Sequence, residues 1–410
     1  MAKGGKQNIF YGYVIVISCF VMMVIWWGSF HSFGVFFESL LDEFHWSRAI
    51  TAGAFSLHNI TFGIFSIPIA RLCSRYQPRI VIGICGFLGG LGYLLMSQVS
   101  SIWQMYLLYG VLMSISMGSY ISILPIVIRW FVHRRGWMTG VVFSGMGIGM
   151  MLVPPLVSRL ISTYDWRNTY TIVGVVLMVG LVFGSQFLRR DPFQEGKIPD
   201  AEGNLKSSSV IPESQGLSYG RALKTNQFWF LGALYFIYLI SHNTATVHIV
   251  IHAIGQGVAP LSAARLLSVF GILLILGFNI IGIIADRLSN RSSFIISFLL
   301  MTLAFIPVLS MNEVWTLYVF VSILGFACGG AQVLFSPIVA ELFGLRSHGE
   351  ILATMGFIGG IGAAVGAALA GYIFDVTGEY RLAFIICALL SATAITLAWF
   401  VKPLTQNEIN

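Results

Sequence analysis

The chain has 410 residues, of which 57% are hydrophobic and only 10% are charged, and its mean hydropathy is +0.85. A soluble domain carries about 25% charged residues, so this composition excludes an ordinary soluble protein and indicates an integral membrane protein. The formal net charge is +7. Because the basic residues punctuate apolar runs, as in loops that follow the positive-inside rule, we expect no nucleic-acid partner. The five scattered cysteines predict neither a disulfide framework nor a metal site.

The apolar runs predict twelve transmembrane helices, since a helix that crosses a bilayer needs about 20 mostly apolar residues. The predicted spans are 11–40, 47–70, 80–97, 102–128, 137–161, 168–188, 226–254, 261–285, 293–310, 314–342, 350–374 and 382–401. The first run continues without a small-residue cleavage site, which favours an uncleaved first span over a signal peptide.

The predicted spans form two groups of six, separated by one long hydrophilic segment. We therefore divide the chain into an N-terminal six-helix bundle (1–188), a cytoplasmic central linker (189–224) and a C-terminal six-helix bundle (225–410). With both termini in the cytoplasm, the inside segments hold most of the 23 lysines and arginines, as the positive-inside rule requires. We expect a monomeric, multi-pass protein of the bacterial inner membrane.

The two groups of spans also resemble each other in sequence. Residues 70–75 resemble residues 285–291, the glycine-rich fifth span resembles the eleventh, and residues 166–170 before the sixth span resemble residues 380–384 before the twelfth. Two parallel repeats of six helices predict the major facilitator architecture, in which the substrate site lies near the membrane midplane between the halves.

Residues 129–155 combine charge with close-packing residues. A basic cluster, Arg129, Arg134 and Arg135, precedes an apolar run with glycines at 140, 145, 147 and 149 that ends in Pro154 and Pro155. Three cations must lie at a membrane face, and small residues let another helix backbone approach closely. We therefore interpret this stretch as part of a hinge and gate, and not as a substrate motif.

Several stretches resemble the monocarboxylate porter family of the major facilitator superfamily. They are residues 11–13, 32–37 with 43–49, 129–155, 166–167 and 285–287. The resemblance implies an all-α membrane protein with twelve transmembrane helices in two pseudo-symmetric six-helix bundles. It also implies transport of small carboxylates such as lactate or pyruvate, usually with a proton, by alternating access, and a protein that is not an enzyme.

One departure from the family pattern leaves the substrate open. The family places a carboxylate-binding arginine in span eight, and Phe278 stands at that position; His31 stands where the family has a lysine in span one. Our leading hypothesis is proton symport of small organic anions, with monocarboxylates first. The alternative is a same-fold transporter or uniporter of a neutral, zwitterionic or aromatic solute.

Histidines are the titratable candidates within the predicted spans, because a histidine changes charge near neutral pH. We expect His31 and His248 to bind the substrate and to carry the proton. A hydrogen bond to a neighbouring helix is the alternative reading of each histidine, and we favour it for His58. His242 and His252 are expected nearer helix ends or on other faces.

Other side chains complete the predicted substrate site. Tyr120, Asn279 and Gln332 are candidate hydrogen-bond donors, although a helix-to-helix hydrogen bond is an equal alternative for Asn279. The aromatic candidates are Phe278, Phe335 and Phe357, for which core filling is the alternative. The resemblance also implies a gate, formed by Arg71, Arg75, Asp286, Arg287 and Arg291.

We expect no cofactor. A membrane-embedded enzyme is disfavoured because the sequence has neither His-Glu-x-x-His nor Gly-x-Ser-x-Gly and no paired carboxylates in the spans. A sensor built on the same fold would normally need a larger signalling domain or tail. The expected partners are therefore a small organic solute, protons and the lipid bilayer.

Overall fold

The computed structural model describes residues 10–46, 48–131, 134–190, 216–255, 260–308 and 314–402. Most of the predicted linker, residues 191–215, and both chain ends lie outside these ranges. Within them the chain is helical, and its one β-bridge joins Gly216 to Gly344. Large apolar side chains such as Ile17, Phe183 and Leu389 are exposed on the outer helix faces, as lipid-facing residues are.

The helices follow the predicted spans. In chain order they are α1 (Tyr11–His31), which a short helix (Phe33–Phe44) prolongs; α2 (Arg48–Arg75); α3 (Pro78–Met96); α4 (Ile102–Trp130); α5 and α6, which share one continuous segment (Arg135–Gln186); α7 (Asn226–Gly255); α8 (Pro260–Arg287); α9 (Asn290–Val308); α10 (Val314–Phe343); α11 (His348–Thr377); and α12 (Arg381–Phe400).

The segment Arg135–Gln186 crosses the membrane twice. Its 52 residues would span about 78 Å at ~1.5 Å per residue, and the hydrocarbon core is only about 30 Å thick. The break falls at Asp165, whose φ of 69° is not helical. The Asp165 carboxylate accepts a hydrogen bond from the Asn168 N–H at 2.9 Å and so caps the start of α6. The 11 candidate membrane helices among the described residues therefore make twelve crossings, which confirms the predicted fold.

α4 is less regular than its neighbours. It contains a π-helical stretch, Tyr106–Leu112, and a 3-10 turn, Tyr120–Ile123. Pro125 follows this turn, and because proline has no N–H it cannot donate to the carbonyl four residues earlier. The prediction of an uninterrupted span at 102–128 is correct for the crossing, although the helix type changes along it.

The two halves meet along two helix pairs, α5 with α8 and α2 with α11. A Cβ added at Gly140 would overlap the Phe278 carbonyl oxygen, and Gly136 and Gly282 each approach the carbonyl of the other. Only glycine permits this backbone approach. In the second pair, Gly63 of α2 faces the Phe357 ring of α11.

The glycine row of α5 serves two partners. A Cβ at Gly145 or Gly149 would meet carbonyl oxygens of α1, at Phe20 and Val24 respectively. The glycines on the opposite side of α5 meet α8, as described above. The row therefore fixes α5 between its own half and the other half.

The bundle has two ends, which we name by their residues. At one end the Phe10 ring packs on Trp130, with 5.9 Å between ring centroids, and the Lys402 N–H contacts the side chain of Gln227. We call this end the terminal face, because both described chain ends lie there. The opposite end, which holds Glu43 and Arg167, is the distal face.

Glu43 lies in a compact polar cluster at the distal face. Its two carboxylate oxygens accept hydrogen bonds of 2.6 Å from Arg167 and from the Trp166 indole N–H. The Arg167 hydrogen bond, aided by that of Trp166, holds the pKa of Glu43 below its usual value. Arg167 also donates to the Ser97 and Val99 carbonyls. The cluster thus ties the loop between α3 and α4 to the α5–α6 corner.

Candidate functional site

Four helices, α1, α4, α7 and α10, bring a set of rings and one amide together between the two halves. We call this set the central cluster; its members are Trp27, His31, Tyr120, Tyr235, Tyr238, His242, Gln332 and Phe335. The first half supplies three of these side chains and the second half supplies the other five. The cluster therefore lies where the repeat architecture predicts a substrate site.

The first half contributes a stack of rings. Trp27 and His31 are one helical turn apart on α1, and their rings stack with 5.7 Å between centroids and 22° between planes. The Tyr120 ring of α4 meets Trp27 edge-on, with centroids 5.5 Å apart. The 3-10 turn that begins at Tyr120 positions this side chain.

The second half contributes rings from α7 and α10. Tyr235 and Phe335 meet edge-on, with 4.1 Å between ring centroids. The Gln332 amide N–H contacts the Tyr235 hydroxyl at 3.4 Å. Tyr238 packs on His242, one turn further along α7, with centroids 5.7 Å apart.

The two contributions face each other across the interface between the halves. His31 and His242 are close enough for their charged forms to interact electrostatically. Tyr120 interacts in the same way with Tyr235 and Tyr238. Each half thus presents one histidine and at least one tyrosine to the other half.

Three buried polar atoms of the central cluster have no hydrogen-bond partner within the described part of the chain. They are Nε1 of Trp27, Nε2 of His31 and Nδ1 of His242. Buried polar atoms are normally paired, so these three are available to a ligand. Apolar walls with a few convergent polar groups are typical of small-molecule sites. We therefore take the central cluster as the candidate substrate site.

Four of the predicted substrate residues belong to this cluster: His31, Tyr120, Gln332 and Phe335. The other four, His248, Phe278, Asn279 and Phe357, lie elsewhere. Phe278 is fully buried and stacks on Phe143 of α5, with 5.3 Å between ring centroids. Phe357 covers Gly63 in the contact between α2 and α11.

Asn279 forms a helix-to-helix hydrogen bond. Its amide donates to the Ser144 hydroxyl at 2.7 Å and to the Ile275 carbonyl at 2.9 Å. The first of these bonds joins α8 to α5 and so joins the two halves. This is the alternative that the sequence left open for Asn279.

His248 is held within the second half. Its Nε2 lies 2.9 Å from the Ala367 carbonyl, and its Nδ1 lies 3.2 Å from the Tyr380 hydroxyl. Because a carbonyl only accepts, Nε2 carries the hydrogen and Nδ1 accepts from Tyr380. Both ring nitrogens are therefore occupied by protein partners.

The predicted substrate residues did not include Trp27, Tyr235, Tyr238 or His242. A helical pattern was present nonetheless. Tyr235, Tyr238 and His242 are spaced at i, i+3 and i+7 on α7, and Trp27 precedes His31 by four residues on α1. These spacings place each set on one helix face. Most of the residues between these positions are also apolar, so the sequence did not single out these helix faces.

At the terminal face, polar contacts join the two halves. The Asp286 carboxylate of α8 accepts hydrogen bonds from the backbone N–H groups of Gly136, at 2.7 Å, and Trp137, at 2.9 Å. These groups form the first turn of α5, where the helix dipole favours a negative charge. Arg71 of α2 lies 3.5 Å from Glu350 of α11.

Two further hydrogen bonds lie at the terminal face. Arg129 donates to the Leu345 carbonyl at 3.0 Å, and the Leu217 N–H donates to the Phe343 carbonyl at 2.9 Å. Of the predicted gating residues, Asp286 and Arg71 thus connect the halves. Arg291 donates to the Trp399 carbonyl within the second half. Arg75 and Arg287 are exposed in the last turns of α2 and α8.

Comparison with known sequences identifies the family. The model of the Major Facilitator Superfamily matches residues 15–311 and 257–410. Monocarboxylate transporter 13 of Rattus norvegicus is 29% identical over 407 residues, which cover 95% of this chain and 90% of the relative. Monocarboxylate transporter 12 of Rattus norvegicus is 24% identical over 419 residues, which cover 96% of this chain and 85% of the relative.

Solved structures share the fold. The E. coli fucose:proton symporter FucP superposes with a TM-score of 0.74 at 13% identity, covering 96% of this chain and 100% of FucP. The proton:xylose symporter XylE superposes with a TM-score of 0.74 at 14% identity, covering 96% of each chain. The chain therefore belongs to the Major Facilitator Superfamily, as a monocarboxylate-transporter-like member that moves small solutes across a membrane and is not an enzyme.

Proposed function

We propose that this protein is a secondary active transporter of small organic anions, with monocarboxylates such as lactate or pyruvate as substrates and with proton symport by alternating access. One observation carries the proposal: His31 and His242 belong to opposite halves and are close enough for their charged forms to interact, and each has a buried ring nitrogen without a partner among the described residues. The names of the monocarboxylate transporter relatives support the substrate class.

The central cluster offers the chemistry that a carboxylate needs. A protonated histidine donates a charge-assisted hydrogen bond to a carboxylate, and the Trp27 indole N–H donates a second bond. When the proton leaves, the histidine loses its charge and the carboxylate is released. This arrangement requires no arginine at position 278, where this chain has phenylalanine.

Proton coupling follows from the same arrangement. A carboxylate enters most favourably when His31 or His242 is charged, so substrate and proton bind together. His31 and Tyr120 on one side and His242 and Gln332 on the other move with their own halves. A rocking motion of the halves therefore carries the bound pair from one side of the membrane to the other.

The contacts at the terminal face form the gate in this proposal. Two contacts close that face: Asp286 of α8 accepts hydrogen bonds from the first turn of α5, and Arg71 pairs with Glu350. Such contacts bias the conformational equilibrium by about 1–3 kcal/mol. We place both termini in the cytoplasm of a bacterial cell, with the protein as a monomer in the inner membrane. The described conformer is then closed toward the cytoplasm.

The division of the chain is part of the proposal. Residues 1–188 form the N-terminal bundle, residues 189–224 form the cytoplasmic central linker, and residues 225–410 form the C-terminal bundle. Under this division, Leu217, whose N–H donates to the Phe343 carbonyl, belongs to the end of the linker.

Uptake into proteoliposomes tests this function. Radiolabelled lactate and pyruvate are offered with and without an inward proton gradient, with uncharged lactamide as the matched solute and empty liposomes as the background. We expect gradient-dependent accumulation of a carboxylate, abolished by a protonophore, and little uptake of lactamide. Equal, gradient-independent uptake of lactate and lactamide would contradict proton symport of an anion.

A second candidate function is the transport or uniport of a neutral, zwitterionic or aromatic solute. Phe278 and the aromatic lining of the central cluster favour it, since rings such as Trp27 and Tyr235 suit apolar or aromatic groups. A ligand that binds the folded state raises the unfolding temperature. A thermal-shift comparison of carboxylates, amino acids and sugars therefore separates the two candidates.

A further inference from the structure

A second polar pocket lies inside the first half, away from the interface between the halves. Its cavity volume is about 20 Å³, enough for one water molecule at roughly 10–15 Å³ each and far below the roughly 300–1,000 Å³ of ligand pockets. We call it the inner pocket; its lining residues are Trp26, Ser29, Phe30, His58, Gly89, Tyr93, Tyr109, Met113, Ser116, Met117 and Leu177. The pocket has room for water but is tight for an organic solute.

The π-helical stretch of α4 organises one wall of this pocket. Within it, the Tyr109 carbonyl lies 2.9 Å from His58 Nδ1, and the Gly110 carbonyl accepts a 2.5 Å hydrogen bond from the Thr61 hydroxyl. A π-helix changes the regular bonding of the backbone and occurs often at functional sites. Here it presents two carbonyls to α2.

This contact fixes the tautomer of His58. A carbonyl accepts only, so Nδ1 must carry the hydrogen, and Nε2 of the neutral ring is an acceptor. Nε2 is buried and has no hydrogen-bond partner among the described residues. The Tyr109 hydroxyl is also buried and also lacks a partner there. Both side chains line the inner pocket and are at most 3% exposed.

An acceptor and a hydroxyl that both lack partners are the two groups that a water molecule would bridge. Water can donate to His58 Nε2 and accept from the Tyr109 hydroxyl, which meets the requirement that buried polar groups be paired. Three other polar side chains of the pocket have partners: Tyr93 donates to the Ser29 carbonyl at 2.8 Å, and the Trp26 indole N–H donates to the Ser116 hydroxyl at 3.2 Å.

One aromatic ring separates the inner pocket from the central cluster. Phe30 lies 5.4 Å from the His58 ring and 5.1 Å from the His31 ring, measured between centroids. Phe30 is half-buried and follows Ser29 on α1, one residue before His31. Phe30 is therefore in ring contact with both histidines and lies between them.

The titratable groups around His58 are few. Tyr93 of α3 and Tyr109 of α4 line the pocket, Tyr170 of α6 lies near Tyr109, and His31 of α1 lies beyond Phe30. The residues that line the pocket include no aspartate, glutamate, lysine or arginine. A proton that reaches His58 therefore meets no fixed counter-charge, and water is its remaining stabilising partner.

We propose that the inner pocket binds water between His58 Nε2 and the Tyr109 hydroxyl, and that His58 takes up a proton there as a second proton site beside the central cluster. The proton comes from hydronium, which leaves the bound water neutral, or from protonated His31, which becomes neutral, and Nε2 supplies the electron pair for the new N–H bond. The role of this site in coupling rests on the proposed proton symport; the proton uptake itself does not.

Nitrogen NMR of ¹⁵N-histidine-labelled, substrate-free protein in lipid tests the site directly. His58→Asn identifies the His58 signals and retains an N–H near the position of Nδ1. We expect an unprotonated Nε2 at about pH 8 and its increasing protonation as the pH is lowered to about 4, with a changed Nε2 shift in Tyr109→Phe. A ring that stays neutral throughout, or that carries its hydrogen on Nε2, overturns the proposal.

Transport measurements test the coupling role separately. In His58→Asn, we expect gradient-driven lactate accumulation to fall by about tenfold or more while lactate exchange without a gradient stays within about twofold, since only the first needs net proton movement. A purely structural role would reduce both. If wild-type accumulation depends on the gradient and His58→Asn retains it, the coupling role fails while the proposed function stands. Without gradient-dependent wild-type accumulation, symport fails, and the NMR result alone decides the site.

Discussion

The histidines of the central cluster and His248 differ in whether their ring nitrogens have hydrogen-bond partners in the described chain. In the central cluster, His31 and His242 each keep a buried ring nitrogen without a partner in the described chain. In the distal histidine cluster, formed by His248, Tyr380 and the Ala367 carbonyl, both ring nitrogens of His248 have partners. A polar group within a membrane is costly, and pairing removes most of that cost. The difference supports our proposal that His31 and His242 bind a ligand and that His248 instead stabilises the second half.

The charged side chains of the two faces differ in whether their contacts lie within one half or join the two halves. Glu43 and Arg167 at the distal face are paired with each other and with neighbours in the first half. At the terminal face, Asp286 accepts hydrogen bonds from the first turn of α5, and Arg71 pairs with Glu350. Both contacts join the two halves and must break if the halves rock. Contacts within a half therefore support stability, and contacts between the halves support a switch.

The largest expected effect is at His31. His31→Ala removes the unpaired nitrogen and should lower carboxylate uptake by roughly 10- to 100-fold, about 1.4–2.7 kcal/mol of transition-state free energy. The unfolding temperature should fall less than in His248→Ala, because Nε2 has no partner in the described chain to lose and the change removes only the ring contacts with Trp27 and Phe30. Uptake into proteoliposomes and thermal unfolding measure the two quantities. Normal uptake by His31→Ala would remove it from the site.

A double-mutant cycle tests whether the central histidines act as a pair. If His31 and His242 hold one carboxylate together, the combined loss in His31→Ala/His242→Ala should be smaller than the product of the single losses. We expect a coupling free energy of about 0.5–3 kcal/mol, as contacting residues show. Uptake rates of the four proteins give this value. Strictly multiplicative losses would indicate that the two histidines act independently.

His248→Ala is the matched control and should show the opposite pattern. The change leaves the Ala367 carbonyl and the Tyr380 hydroxyl without the imidazole, which should destabilise the protein by about 1–3 kcal/mol. Uptake per folded molecule should stay within about twofold, less than 0.5 kcal/mol. Thermal unfolding and uptake normalised to folded protein measure both. Loss of uptake at unchanged stability would place His248 in the transport path.

Glu43→Gln should give the smallest effect. Because the pKa of Glu43 is lowered, the ion pair stabilises the protein above the unfolded-state pKa of about 4.3, and this stability is lost as pH falls through the folded-state pKa. Both side chains are more than a third exposed, so we expect less than about 1 kcal/mol. Unfolding temperatures at neutral and acid pH measure it. A larger gap between wild type and Glu43→Gln at acid pH than at neutral pH would contradict this sign.

The fold was accessible from the sequence because each crossing leaves its own local signal. A run of about 20 apolar residues specifies a span wherever it occurs. The kink at Asp165 is the informative exception. Secondary structure alone joins α5 to α6 in one helix of 52 residues, whereas the polar residues around Arg159 and Arg167 divide the span prediction correctly.

The candidate site was accessible only in part. Chain position alone placed His31, Tyr120 and Gln332 on helices that line the cavity of this fold. Nothing local distinguished His242 from His248, which lie six residues apart on α7. Six residues correspond to about 600° of helical rotation at ~100° per residue, so the two rings point in different directions. Which direction leads to the other half depends on how α7 packs.

The sequence by itself determined the membrane class, the twelve crossings and the twofold repeat, because hydropathy and charge act over short stretches of chain. It also determined that Phe278 stands in the family's arginine position. Tertiary structure decided which polar atoms find partners, since hydrogen bonding depends on residues far apart in the chain. Glycines on α5 bring α8 into backbone contact and bury Phe278 there. Trp27, His31 and His242 keep buried polar atoms that are unpaired in the described chain.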